Sequence, residues 1–209
     1  MEKFTTLTAV AAPLLRINID TDAIIPSREM KRVSKDGLAE GLFAGWRYQS
    51  PGSRVENPEF VLNQPPYREA RILLSGINFG CGSSREHAVW ALHEWGIRAV
   101  IAPSFGSIFQ GNCVRNGIVP VVLPNEVVES IARQVEADPA RNRVTVDLAA
   151  GTVTAPDGTS HRFTLPEADR EMLLEGLDSI AVTLKRDPEI LAFRHQDRQR
   201  RPWIYLPAR

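Results

Sequence analysis

Residues 78–96 read NFGCGSSREHAVWALHEWG and carry the strongest structural signal in the chain. The apolar run at 72–74 immediately before them predicts a buried strand. The apolar residues after the glycines have helical spacing and end before Gly96. They are Ala88, Ala91, Leu92 and Trp95. The small residues at 80–84 are therefore expected to form a loop that joins a strand to the start of a helix.

This loop is expected to bind an anion. The first N–H groups of a helix have no partner within the helix, and the helix dipole adds partial positive charge there. Gly80 and Gly82 would let a ligand approach the backbone closely. Arg85 can hold a carboxylate with two hydrogen bonds. The pattern predicts a pocket for a small acid in which N–H groups and a guanidinium lie together.

The two serines of the loop have two possible roles. Ser83 or Ser84 could cap the helix, and Glu86, three residues after Ser83, fits a capping box. Spacing alone does not distinguish a capping serine from a reacting one. A capped turn that binds no ligand therefore stays open as the structural alternative.

Composition limits the class of protein. A chain of 209 residues suits one domain, or one domain with an extension, and can bury a substantial core. Lys plus Arg equals Asp plus Glu, 25 each, which argues against a nucleic-acid surface. No apolar run approaches the about 20 residues of a membrane span. The N-terminus lacks the pattern of a signal peptide, so the expected location is the cytoplasm.

Potential metal ligands are few. The only cysteines are Cys81 and Cys113, and several thiolates are normally needed to hold an iron–sulfur cluster. The four histidines have no metal-ligand spacing. We therefore expect this chain to bind no metal, and any metal that its chemistry requires must come from another chain.

Alternating strands and helices predict a largely parallel sheet. Apolar strands are expected at 71–75, 98–102 and 118–123, with a short helix from about Phe105 to near Gly117. Ligands usually bind beyond the carboxyl ends of such strands. Residues 126–138 are expected to form an amphipathic helix.

The remaining segments are predicted from weaker patterns. Residues 4–19 suggest two short strands broken at Pro13, and residues 143–165 suggest a small antiparallel meander. Helices are expected at 167–176 and 188–199. The segment 180–184 is either a last strand or the approach to the last helix. Residues 35–70 are irregular and suggest a flap that lies against the core or against a second subunit.

Several stretches together resemble a known family. The string NFGCGSSREHA at 78–88 closely resembles the signature of 3-isopropylmalate dehydratase small subunits, the swivelling domain of the aconitase superfamily. The string NIDTDAIIP at 18–26 resembles a second signature of that family. Further likeness lies at 102–112 and 176–180. The likeness runs in order over roughly residues 4–195.

The resemblance implies a fold. It predicts an α/β protein with the three-layer β/β/α swivelling domain of the aconitase C-terminal type, a small antiparallel meander and a C-terminal helical extension. Residues 1–209 would form one domain. Its core would span about residues 1–165, and the helical extension about residues 166–209.

The resemblance also implies a reaction. Members of the family remove water from a hydroxy acid and add it back. By match to the motif, Ser83 would be the catalytic base and Arg85 a catalytic residue that binds a substrate carboxylate. Ser84, Gly82 and Arg28 would bind substrate. A large subunit would supply a 4Fe-4S cluster, and this chain would bind no cofactor.

Other residues receive supporting roles from the resemblance. Asp20 would orient catalytic groups of the partner, and Glu86 and His87 would support the motif. A second substrate arginine is expected in the earlier loops, with Arg28 and Arg47 as the candidates. The expected partners are a large iron–sulfur subunit, in a heterodimer or heterotetramer, and a small hydroxy acid. Nucleic acid and membrane are not expected partners.

One departure from the family leaves the substrate open. The family commonly has an aromatic–leucine pair where this chain has Glu29-Met30 between Arg28 and Lys31. The main expectation is interconversion of 2-isopropylmalate and 3-isopropylmalate in leucine biosynthesis. The alternatives are a related hydro-lyase for citraconate, dimethylmaleate or homoaconitate and, in another class, a non-catalytic anion-binding module.

Overall fold

A parallel sheet of four strands lies at the centre of the molecule. The computed structural model describes residues 1–30, 36–82 and 85–205. The sheet has the order β2–β3–β4–β5, and all its neighbouring strands are parallel. Its strands are β2 (Ala11–Leu14), β3 (Ile72–Ser75), β4 (Ala99–Ala102) and β5 (Val119–Val122). Every residue of β3 and β4 is buried, as expected for strands covered on both faces. The predicted parallel sheet is therefore confirmed.

A second sheet is antiparallel and has the order β1–β6–β7–β8. Its strands are β1 (Thr6–Ala9), β6 (Val144–Asp147), β7 (Thr152–Thr154) and β8 (Ser160–Arg162). The predicted meander is confirmed. The sequence did not indicate that β1 would extend it, with Thr6 opposite Asp147. Only Val10 separates β1 from β2, so the N-terminal segment belongs to both sheets.

The expected break at Pro13 is wrong. Pro13 lies inside β2, opposite Leu74 of β3. Because β2 is an edge strand, the missing N–H of Pro13 removes no hydrogen bond to a further strand. The two N-terminal strands instead meet at Val10, where the chain passes from one sheet to the other.

Helices pack around the parallel sheet and continue beyond it. They are α1 (Thr21–Ile24), α2 (Ala44–Arg47), α3 (Glu86–Trp95), α4 (Ser107–Arg115), α5 (Asn125–Ala137), α6 (Glu167–Glu175), α7 (Ser179–Leu184) and α8 (Asp187–Arg200). Helix α5 contacts three strands of the parallel sheet through a face that includes Val128, Ile131 and Val135. The predicted helices and the α/β class are confirmed.

Residues 179–184 form α7, so the strand alternative for this segment is wrong. Asp178 accepts a hydrogen bond from the N–H of Ala181 at 2.7 Å and caps the helix. No residue of α7 is buried, so the segment has no buried strand face. The cap outweighs the strand preference of the β-branched residues that follow it.

Residues 36–70 are part of the core. Their irregular backbone carries apolar side chains into the same cluster as the parallel strands. The buried members are Leu38, Leu42, Phe43, Phe60, Leu62, Tyr67 and Ala70. This segment therefore lies against the core, which is the first of the two placements expected for it. Across the described ranges, no helix combines the length and apolarity that a bilayer crossing requires.

Candidate functional site

A cavity of about 210 Å³ opens beside the loops that follow β3 and β4. It is lined by Thr21, Asn78, Gly80, Cys81, Gly82, Arg85, Gly106, Ser107, Ile108, Phe109 and Asn112. These residues come from the start of α1, the β3–α3 loop and the first turns of α4. The cavity thus lies beyond the carboxyl ends of two neighbouring parallel strands, where such folds bind ligands.

Backbone hydrogen bonds hold the β3–α3 loop between its neighbours. The N–H of Gly80 donates to the carbonyl of Ile19 at 2.7 Å, and the N–H of Thr21 donates to that of Cys81 at 3.1 Å. On the other side, the N–H of Gly106 donates to the carbonyl of Phe79 at 2.9 Å. The loop therefore pairs like a strand on both edges, which positions it against α1 and α4.

Glycine is favoured at two positions of the loop for different physical reasons. A Cβ on Gly80 would lie 2.1 Å from the Phe109 ring, so the close packing of α4 requires a residue without a side chain. Gly82 has φ +88°, which L side chains rarely adopt, although the nearest atom to its Cβ position is 3.5 Å away. Gly82 lines the cavity, and its role in substrate binding stays a prediction.

Arg85 is the N-cap residue of α3, and its side chain makes no capping hydrogen bond. The expected capping box is wrong because Glu86 is the first helical residue rather than the third. The Glu86 carboxylate instead accepts a hydrogen bond from Nδ2 of Asn116, the residue that follows α4, at 3.1 Å. Of the N–H groups in the first turn of α3, that of Ala88 donates to the Arg85 carbonyl at 3.1 Å.

The Arg85 guanidinium lines the cavity and forms an ion pair with Asp22. Its side chain is 26% exposed, whereas that of Asp22 is 55% exposed. The arginine is therefore held at the cavity by a carboxylate that reaches into solvent. A ligand carboxylate would share or replace this partner.

Three other predicted residues have partners within the chain. Asp20 Oδ1 accepts a hydrogen bond from the N–H of Ala23 at 2.7 Å and caps α1. The His87 ring lies 4.8 Å from that of Trp90, measured between centroids. Glu86 bonds to α4 as described above. None of the three lines the cavity, so their supporting roles stay predictions.

The two candidates for the second arginine lie outside the cavity lining. Arg47 is 4% exposed and donates to the carbonyls of Ala39 and Glu40, each at 2.6 Å. It is therefore a structural residue of the 36–70 segment, and its candidacy for substrate binding is wrong. Arg28 Nε lies 3.4 Å from Glu29 Oε1, and its substrate role stays a prediction.

The departure at Glu29 is compensated within the chain. The Glu29 side chain is 8% exposed, and its Oε2 accepts a hydrogen bond from Arg54 Nη2 at 2.8 Å. It does not line the cavity. The predictions for Ser83, Ser84 and Lys31 fall outside the described residues. In the sequence, Ser83 and Ser84 stand between Gly82 and Arg85, which both line the cavity.

Sequence reasoning gave no site role to α4, whose first turns and Asn112 form one side of the cavity. A usable signal was present. The connection after β4, like the one after β3, is a short loop that carries glycine and leads into a helix, and Gly106 directly precedes α4. Since carboxyl ends of adjacent parallel strands share one edge of a sheet, both helix starts belong to one site.

Metal ligands do not cluster in the part of the chain that the structure describes. No group of three or more His, Cys, Asp or Glu side chains there is arranged to hold a metal ion. Cys113 is buried, and its desolvation raises the pKa of its thiol far above the usual value. Cys81 is only partly buried, at the cavity wall.

Comparisons with known proteins agree with this geometry. The model of the aconitase C-terminal domain matches residues 1–126, and a model described as LeuD_N matches residues 129–167. A 3-isopropylmalate dehydratase small subunit from Cupriavidus necator is 64% identical over 206 residues, 99% of each chain. One from Paramagnetospirillum magneticum is 51% identical over 98% of this chain and 100% of its own.

A solved structure of 3-isopropylmalate dehydratase from Methanocaldococcus jannaschii superposes with a TM-score of 0.63. It shares 25% sequence identity and covers 90% of this chain and 99% of its own. The family models and the near full-length relatives agree with the motif likeness and with the α/β fold. The chain belongs to the family of 3-isopropylmalate dehydratase small subunits, within the aconitase superfamily.

Proposed function

We propose that this chain is the small subunit of a cytoplasmic hydro-lyase of leucine biosynthesis. With a large iron–sulfur subunit, it interconverts 2-isopropylmalate and 3-isopropylmalate through isopropylmaleate. The observation that carries this proposal is the cavity itself. The Arg85 guanidinium, the glycines of the β3–α3 loop and the first turn of α4 meet there, beyond the ends of two parallel strands.

The size and chemistry of the cavity support a half-site. Its volume of about 210 Å³ is below the about 300–1,000 Å³ typical of complete ligand pockets. Its lining contributes a guanidinium and hydrogen-bond donors but no cluster of metal ligands among the described residues. The relatives are named small subunits, and membership of their family implies a complex with a large subunit. That subunit would complete the wall.

The reaction requires positive charge at fixed positions. A proton leaves the carbon next to a carboxylate, and the resulting carbanion is stabilised as a dianionic carboxylate, so cationic donors must already be in place. Arg85 provides a cationic donor at the cavity, and the dipole of α3 adds partial positive charge at the same end of that helix. The cluster of the large subunit would supply a Lewis acid for the departing hydroxide.

Ser83 acts as the base in this proposal. Serine is a very weak acid, so its alkoxide needs nearby N–H donors and positive charge. In the sequence, Ser83 stands between the cavity residue Gly82 and the helix start at Arg85. Ser84 and the backbone of Gly82 would hydrogen-bond the substrate, and Arg85 would hold its carboxylate in place of Asp22.

Replacing Ser83 tests this assignment. Ser83→Ala in the reconstituted complex should lower turnover about 10²–10⁴-fold, the usual contribution of a general base, without loss of subunit assembly. Turnover of 2-isopropylmalate would be measured beside gel filtration of the complex. Ser160→Ala, an exposed position on β8, is the matched control. Near wild-type turnover of Ser83→Ala would remove Ser83 from the base role.

The alternative substrates lose their main support. They rested on the departure at Arg28-Glu29-Met30-Lys31, but the Glu29 carboxylate pairs with Arg54 rather than lining the cavity. A panel of 2-isopropylmalate, citraconate, dimethylmaleate and homoaconitate, given to the reconstituted pair, decides between them. Preference for any of the last three would replace the proposed substrate. Acid binding without turnover in the presence of the large subunit would favour the non-catalytic module.

A further inference from the structure

The start of α4 forms a second group of donors at the cavity. Helix α4 has nine residues, Gly106 is its N-cap, and no side chain within the described ranges caps it. Ser107, Ile108 and Phe109 occupy the first three helical positions and line the cavity. N–H groups at these positions have no partner within a helix, and the helix dipole makes them favourable for an anion.

A close backbone approach brings this helix start to the Arg85 loop. A Cβ on Gly106 would lie 2.5 Å from the carbonyl oxygen of Gly80. Only a glycine at this position lets α4 begin directly against the β3–α3 loop. The starts of α3 and α4 therefore contribute to one cavity, with Arg85 at one of them.

Asn112, further along α4, provides the independent observation. Its residue surface is 6% exposed, and it lines the same cavity. Its Oδ1 accepts a hydrogen bond from Arg115 Nη1 at 2.8 Å. Because a guanidinium only donates, this bond fixes the orientation of the amide and turns the NH₂ group away from Arg115.

The NH₂ group of Asn112 has no protein partner in the described ranges. Leaving a buried donor unpaired costs about 1–3 kcal/mol. Among the described residues, the fully sealed side-chain polar atoms without a partner are Asn63 Oδ1 and Trp95 Nε1. The Asn112 nitrogen is therefore not sealed, and Asn112 lines the cavity, where a ligand could supply an acceptor.

We propose that the start of α4 and the Asn112 amide form a second carboxylate subsite, facing the one at Arg85. The chemical class of ligand is a small cis-dicarboxylate or the corresponding hydroxy diacid. One carboxylate binds to Arg85, and the other accepts hydrogen bonds from the α4 N–H groups and Asn112 Nδ2. This inference rests on the proposed function, for which a substrate with two carboxylates is required.

Paired ligands test the subsite. Calorimetric titration of the reconstituted complex with maleate and with cis-but-2-enoate compares two ligands that differ by one carboxylate. Wild-type complex should bind maleate more tightly. Asn112→Asp keeps an acceptor for Arg115 but also presents an acceptor to the ligand. In this variant the ratio of the dissociation constant of cis-but-2-enoate to that of maleate should fall about tenfold or more. Asn112→Ala removes the donor without adding charge and should reduce the same ratio.

Gln110→Glu is the control for charge. It adds the same negative charge to α4 at a position that does not line the cavity, so it should keep the wild-type ratio. Thermal melting and gel filtration show whether each variant folds and assembles. A ratio within twofold of wild type in both folded Asn112 variants would overturn the subsite, as would a wild-type complex that binds both ligands equally.

The two proposals fail separately. Binding is measured without turnover. The wild-type complex could prefer maleate, and the Asn112 variants could lose that preference, while no hydroxy acid is turned over. That result would overturn the proposed function alone. A complex that turns over 2-isopropylmalate with an unchanged ratio in these variants would overturn the subsite alone.

Discussion

The Phe109 ring occupies the space beside Gly80, and this contact sets the distance between the β3–α3 loop and α4. The ring also packs edge-on against Phe79, with centroids 5.3 Å apart. At φ +72° the Gly80 backbone is in a conformation that L side chains rarely adopt. The identity of one residue therefore decides whether α4 can reach the cavity.

At this scale we expect Gly80→Ala to lower the free energy of unfolding by about 2–4 kcal/mol, since overpacking and left-handed strain both apply. Urea denaturation measures the change. Gly45→Ala is the matched control, because no atom lies within 4 Å of its Cβ position and Gly45 is within α2. We expect that variant to stay within about 0.5 kcal/mol of wild type. Equal stability of the two variants would contradict the packing argument.

At the scale of an element, Asp197 joins the end of α8 to the turn that follows it. It is the buried residue of this helix. Its Oδ1 accepts a hydrogen bond from Arg201 Nε at 2.6 Å, and its Oδ2 accepts one from the Tyr205 hydroxyl at 2.9 Å. Desolvation acts to raise the pKa of this carboxyl, but the bonds from Arg201 and Tyr205 outweigh it and lower the pKa.

The sign of this shift gives a pH dependence. A carboxyl whose pKa is lowered on folding stabilises its segment above its usual pKa, and the contribution is lost as the pH falls through the lowered value. We expect amide protection at Ile204 and Tyr205 to decrease below about pH 4. Hydrogen-exchange protection factors, corrected for intrinsic rates, measure it. Asp197→Asn should show low protection at every pH; pH-dependent protection that persists in this variant would exclude Asp197 as the cause.

At the scale of the whole molecule, the two ends of the chain differ in how many of their residues are buried. The first residues run through both sheets, and Phe4 is 4% exposed, with its N–H bonded to the carbonyl of Leu173 at 2.9 Å. Beyond Leu177, Asp197 is the sole buried residue in the described part of the chain. The core is therefore closed by the N-terminal strands rather than by α7 and α8.

We expect a chain truncated after Leu177 to unfold cooperatively, with a free energy of unfolding within about 2 kcal/mol of the full chain, because it loses little buried apolar area. Phe4→Ala in the full chain should cost about 3–5 kcal/mol, as for other buried aromatic residues. Chemical denaturation of both proteins provides the comparison. A truncation that costs more than Phe4→Ala would show that the C-terminal helices support the core.

Local patterns in the sequence determined much of the fold. The apolar runs of β3, β4 and β5 and the helical spacing after Gly82 predicted the parallel sheet and α3. The glycines and Arg85 predicted an anion site in the loop before α3, and Gly80, Gly82 and Arg85 line the cavity. These features depend on side chains close together in the sequence, whose spacing reports which face of an element is buried. The motif likeness added the family and the proposed role of Ser83.

Only the tertiary structure decided the rest. It placed β1 and β2 in different sheets, buried Arg47 and Glu29 within the chain and brought Asn112 to the cavity of Arg85. Each of these depends on contacts between residues far apart in sequence, which local spacing does not specify. The starts of α3 and α4 are neighbours because β3 and β4 pair in parallel, and that pairing is a property of the whole sheet.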